Sequence, residues 1–181
     1  MHPALLYVPG RRLALPELCA ARMDGHLVEI GDAYIPADLV EGTTTRAATL
    51  AGVIPASTAA SGPTAAWVHG AGDAPPPRHH VSRAVPRRIR AVHSSRIVVH
   101  HSAVPEEDVE TIAGIAVTTP LRTMTDLALG LHRDPTLRDW MTSLAAVDGD
   151  LVARTVTALD ALHRVPGTVS GRAALLRIRT T

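Results

Sequence analysis

Residues 115–130 read IAVTTPLRTMTDLALG, an order of residue types that runs a strand straight into a helix. IAVT (115–118) is rich in β-branched residues and suits a strand. Thr119 suits an N-cap and Pro120 the first helical position, where its missing N–H is no loss. Gly130 suits the position after the helix end. Between them Leu121, Met124, Leu127 and Ala128 make one apolar face. Arg122 and Asp126 stand four apart on this helix. An exposed pair of that kind contributes roughly 0.3 kcal/mol, whereas a buried one ties the helix to its sheet.

Downstream of this unit the pattern is helical. Leu137, Trp140, Met141 and Leu144 recur at i, i+3, i+4 and i+7 behind Asp134-Pro135. Asp150 is expected to cap a second helix, and a short Arg-bearing helix follows Ser170. Upstream, 79–85 (HHVSRAV) and 96–101 (RIVVHH) are the other strand candidates. Residues 70–77 (GAGDAPPP) must be loop, because three successive prolines cannot donate hydrogen bonds. Residues 45–54 and 63–69 read as short helices, the second with Ser61 as N-cap and Gly70 as its stop.

The first forty residues read as a helix and a hairpin. Leu15, Leu18, Cys19 and Met23 lie at helical spacing, with Pro16 in the first turn and Gly25 at the stop. LVEI (27–30) and AYIP (33–36) flank a tight Gly31-Asp32 turn. Cys19, Trp67 and Trp140 read as core residues. The expected fold class is α+β: a winged-helix-like helix–hairpin remnant over 1–42, then an α+β domain over 43–181. That domain would hold a small sheet flanked by helices and a helical C-terminal part.

Composition narrows the function. The 181 residues are 46% hydrophobic and 19% charged, enough for a packed core. All 18 basic residues are Arg, against 17 acidic ones. The absence of Lys excludes a phosphate-binding Walker lysine and Schiff-base chemistry. One cysteine excludes an internal disulfide or a multi-thiolate metal site. No apolar run reaches the roughly 18 residues of a membrane helix. MHPALLYVPGRR (1–12) lacks the pattern of a secretory signal, so a cytoplasmic protein without membrane partners is expected.

Between Asp73 and Glu106 there is no acidic residue, while six Arg and five His are present. Unpaired guanidinium groups at this density attract polyanions and suit bidentate phosphate contacts. The expected nucleic-acid-binding residues are Arg83, Arg87, Arg88, Arg90 and Arg96, with Arg22 on the first helix for base readout. The plainer alternative is a solvated positive surface balanced by the acidic 106–110 (EEDVE). Adjacent His in a strand point to opposite faces, so His79-His80 and His100-His101 offer one ligand per face and no metal site is expected.

His80-Val81-Ser82, His93-Ser94-Ser95 and His100-His101-Ser102 echo the His-x-Ser/Thr pairs of 2H phosphoesterases, a reading that would use His80 and His101 as acid and base. No Gly-x-Ser-x-Gly elbow or dinucleotide fingerprint is present. A protein without catalysis or cofactor is therefore expected, with this phosphoesterase reading ranked below it.

Three strings together resemble one family. LCAARMDGHLVEIGDAYIPAD (18–38) is similar to the recognition-helix end and wing of actinobacterial AbiEi-type antitoxins of type IV toxin–antitoxin systems. SGPTAAWVHG (61–70) resembles that family's Ser-x-x-Ala-Ala-x-x-His-Gly helix. GIAVTTPLRTMTDLA (114–128) resembles its Gly-x-x-Val-Thr-Thr-Pro-x-Arg-Thr-x-x-Asp-Leu-Ala signature. The resemblance implies a transcriptional regulator that binds its operator DNA through a winged helix and counteracts a nucleotidyltransferase-type toxin. Here the winged-helix part is shortened, and residues 11–41 hold three Arg against six acids. That balance suits a duplex poorly, which moves the expected contact to 78–96. A module binding an acidic protein partner is the alternative.

Overall fold

A computed structural model of the chain describes residues 5–84, 94–162 and 164–178. It opens with helix α1 (Leu15–Met23) and the strands β1 (Leu27–Ile30) and β2 (Ala33–Pro36). The Glu17 carboxylate accepts from the Ala14 N–H at 2.6 Å and so satisfies one orphan donor of α1. The helix stops at Gly25, whose φ of +76° lets the His26 N–H reach back to the Ala21 carbonyl. β1 and β2 pair antiparallel with Ile30 opposite Ala33, so Gly31-Asp32 is a two-residue turn. Tyr7 extends the hairpin by a reciprocal backbone pair with Tyr34.

Helix α2 (Thr43–Thr49) leads into a five-stranded sheet. Its strands are β3 (Thr58–Ala60), β4 (His79–Arg83), β5 (Ile97–Ala103), β6 (Val109–Ile112) and β7 (Ile115–Thr118), in the order β5-β4-β3-β7-β6. β4 runs parallel to β5, and β3 parallel to β7, while the β3–β4 and β6–β7 pairs are antiparallel. Helix α3 (Gly62–Val68) connects β3 to the loop before β4. Four helices complete the chain: α4 (Pro120–Gly130), α5 (Leu137–Val147), α6 (Leu151–Asp160) and α7 (Thr168–Ile178).

Helix α4 is the hub, packed against α3, α5, α6 and α7. Met124, Leu127 and Ala128 are buried there with Met141, Leu144, Leu159 and Leu175. A second core sits under the sheet around the fully buried Trp67, and it takes in Ile30 and Ile35 of the hairpin. The N-terminal hairpin is thus bound to the rest by shared apolar burial.

The α+β class stands as expected, with corrections in detail. β3 and β6 were not anticipated: β3 is three residues with two alanines, and β6 lies inside a stretch that reads as an acidic patch. The helix expected over 45–54 ends at Thr49. Asp150 precedes α6 but makes no capping bond with its side chain, and Ser61 makes none to α3. Gly130 is the last helical residue rather than the one beyond it. On α1 only Leu18 is buried, whereas Leu15 and Met23 are exposed and Cys19 is half-buried. Trp67 is core, while Trp140 is half-buried between the two larger clusters.

Candidate functional site

A cavity of about 520 Å³ opens between β4, β5 and α4. Its sheet wall follows from strand periodicity. His80 and Ser82 lie two apart on β4 and share a face, as do His100 and Ser102 on β5. The parallel register sets Ser82 opposite His100, which brings all four to one face. His80 Nδ1 and His100 Nε2 meet at 3.1 Å, with ring centroids 5.2 Å apart. Behind them the Ser82 hydroxyl donates to Ser61 Oγ at 2.8 Å, and the His80 N–H donates to Thr64 Oγ1 at 2.7 Å.

The opposite wall is α4 and the turn after it. Arg122 Nε donates to both carboxylate oxygens of Asp126 at 2.9 and 3.0 Å, and its Nη1 donates to Asp108 at 2.8 Å. His132, Arg133 and Asp134 line the mouth. Asp134 is engaged locally, accepting from the Thr136 N–H and hydroxyl at 3.0 and 2.6 Å.

These surroundings set the charges. Burial pushes His80 down to about 4, with His100 and Arg78 adding repulsion to its cationic form. Burial lowers His100 as well, opposed by Asp126. On the other face of β4 burial lowers His79, whose buried Nδ1 has no partner. Burial raises the Asp126 carboxyl, opposed by Arg122. Arg122 is drawn down by burial, but its two carboxylate partners outweigh that and hold it fully charged.

The 2H-like reading is corrected in one respect. The imidazole beside His80 belongs to His100, since His101 points to the other face. Each acid–base group in such a reaction must sit within about 3 Å of its own reacting atom. Two rings bonded to each other do not flank a phosphorus centre.

The expected arginines are placed separately. Arg22, in the last turn of α1, lies 4.0 Å from the Glu29 carboxylate and is exposed. Arg83 ends β4, half-buried, with its Nε unpartnered. Arg96, just before β5, pairs with Asp32 in the hairpin turn. Arg87, Arg88, Arg90 and His93 lie outside the described residues.

The motif residues hold the framework. The His69 Nε2–H donates to the Thr118 carbonyl at 2.7 Å and fastens the end of α3 to β7. Thr119 caps α4 by accepting from the Arg122 N–H at 3.3 Å. Thr118 and Thr123 hydroxyls meet at 2.7 Å inside the core. Sequence reasoning found Arg122 and Asp126 but missed Asp108, Ser61 and Arg133 as their neighbours. Only the 122, 126, 129 spacing along α4, with 133 in the turn beyond it, hinted at a common face.

Among curated proteins none matches this chain. Among solved structures the RV2827C protein of Mycobacterium tuberculosis is similar at 16% identity, over 94% of this chain and 70% of that one, with a TM-score of 0.43. The family model of the AbiEi antitoxin C-terminal domain matches residues 58–179, which takes in the whole five-stranded sheet and all four C-terminal helices. The chain belongs to the AbiEi antitoxin C-terminal domain family.

Proposed function

We propose that this chain is an antitoxin-type regulator that binds DNA, its own operator, and neutralises a nucleotidyltransferase-type toxin. Family membership supports the antitoxin role. The observation that carries the nucleic-acid role is the acid-free run between Asp73 and Glu106, with its six Arg. Phosphate neutralisation by such a run supplies most sequence-independent affinity. Residues 1–42 form a winged-helix-like unit and 43–181 the antitoxin domain. Arg22 on α1 would then read bases, while Arg83, Arg87, Arg88, Arg90 and Arg96 neutralise backbone phosphates. Arg96 pairs with Asp32 of the hairpin turn and would exchange that carboxylate for a phosphate on binding. Catalysis is not part of the role, and its seat is the cytoplasm. Among the described residues no helix is long and apolar enough to cross a membrane.

Fluorescence anisotropy on upstream DNA across a salt series tests the proposal. Binding should weaken steeply with salt. The Arg87→Ala, Arg88→Ala, Arg90→Ala triple variant should bind all sequences less tightly, with a slope shallower by about 3. An unchanged slope would remove these residues from the interface. Binding that survives only as capture of an acidic protein would favour the protein-interaction alternative.

A further inference from the structure

The cavity between β4, β5 and α4 is not used by the regulator described above. Its walls are rich in hydrogen-bond donors. Ser82 spends its hydrogen on Ser61, so the Ser61 hydroxyl keeps its own hydrogen for another acceptor. Ser102 sits at the exposed end of β5, two residues beyond His100 on the same face. The His80–His100 bond uses one proton and leaves the outer nitrogens, His80 Nε2 and His100 Nδ1, to the surroundings. Arg133 is exposed at the rim.

The charged groups around the pair sort into two kinds. Arg122 occupies both oxygens of Asp126, and Thr136 engages Oδ1 of Asp134, so at most one carboxylate oxygen, Asp134 Oδ2, is left for a cation. Two imidazoles with hydroxyls fall short of the three or four strong ligands a transition metal needs. Burial first, then Arg78 beside His80 and Arg133 beside His100, penalises protonation of the pair in the empty cavity, while Asp134 and Asp126 favour it. An anion reverses that penalty. Protonating the pair makes both outer nitrogens donors without breaking the ring-to-ring bond. About 520 Å³ is the size of a small-ligand site.

We infer that this cavity is a phosphate site taking a nucleoside monophosphate group, from a free nucleotide or from the phosphorylated end of a strand, with Ser61, Ser102, His80, His100 and Arg133 as its donors. The inference stands apart from operator binding, which would use the basic segment.

The test is a titration of the full chain with 5′-AMP, followed through the imidazole signals by NMR. His80 and His100 signals should move saturably and titrate at higher pH in the complex. Adenosine should leave them in place. Arg133→Ala and Ser102→Ala, both at exposed positions, should keep the fold by circular dichroism. Each should weaken binding about five- to tenfold, the loss of one phosphate contact. The Arg87, Arg88, Arg90 triple variant should still bind AMP. A 5′-phosphorylated tetranucleotide binding more tightly than AMP assigns the site to a strand end, and one binding no more tightly assigns it to a free nucleotide. The inference is overturned by any of four results: no saturable shift with millimolar AMP, equal binding of adenosine, indifference to both substitutions, or movement of the imidazole signals with zinc chloride alone.

Discussion

Arg122 shows how one side chain can be legible in sequence and still acquire its weight from the fold. Its i,i+4 partner Asp126 is visible in the sequence, and alone would be a minor helix-surface pair. Asp108, fourteen positions earlier and just before β6, becomes the second partner only when α4 lies against the sheet. Arg122 thereby joins the helix to the far strand pair. Replacing it by alanine leaves the half-buried Asp126 beside Asp108 without its guanidinium partner. Arg122→Ala should cost about 2 kcal/mol of unfolding free energy at pH 7 by urea titration, because a half-buried carboxylate loses its charge-assisted bonds. The loss should shrink toward acidic pH, where Asp126 takes up a proton. An equal loss at pH 7 and pH 4.5 would show that packing, not charge, is what Arg122 supplies.

At the scale of elements the close approach of α7 to α4 decides more than local propensity does. Gly171 lies inside α7, where alanine would be favoured by about 1 kcal/mol on propensity alone. A Cβ there would stand 2.5 Å from the Ala128 carbonyl oxygen of α4. Overlap with backbone cannot be relieved by a rotamer change, so the helices would have to separate. Gly171→Ala should therefore lower the melting temperature despite the better helix former, and a rise would refute this packing argument. The strong helices α4 and α5 were readable, since their apolar residues repeat at helical spacing and Thr119-Pro120 marks a start. β3 was not readable: Thr-Ala-Ala has no strand signature, and it exists because it is flanked on both sides, by β4 and β7.

The whole molecule should respond to acid through its histidines. His79, His80 and His100 all have folded-state values below the ordinary imidazole value of 6.5, His80 at about 4. Between those values the unfolded chain binds more protons than the folded one, so stability rises with pH across the window. It should be full above pH 6.5 and fall as the pH drops toward 4. For half-buried His80 the loss is on the order of 2 kcal/mol after solvent screening. The raised Asp126 carboxyl acts in the opposite sense and offsets part of it. Urea midpoints at pH 7.5, 6 and 5 should decline in that order, and His80→Gln should flatten the decline. A flat profile for the unaltered chain would contradict the burial of His79 and the half-burial of His80.

Residue order alone determined the α+β class, the hairpin around Gly31-Asp32, the α4 cap and the charge asymmetry of the middle segment. Each is a local property, set by backbone dihedral preference, side-chain periodicity or composition. Tertiary structure alone decided that His100, not His101, meets His80, that Asp108 completes the Arg122 cluster, and that Ser61 turns from a helix cap into a cavity wall. These contacts join residues from fourteen to twenty-one positions apart. They depend on which strand lies beside which and in what register, and a one-residue slip in a strand would turn every one of its side chains to the other face.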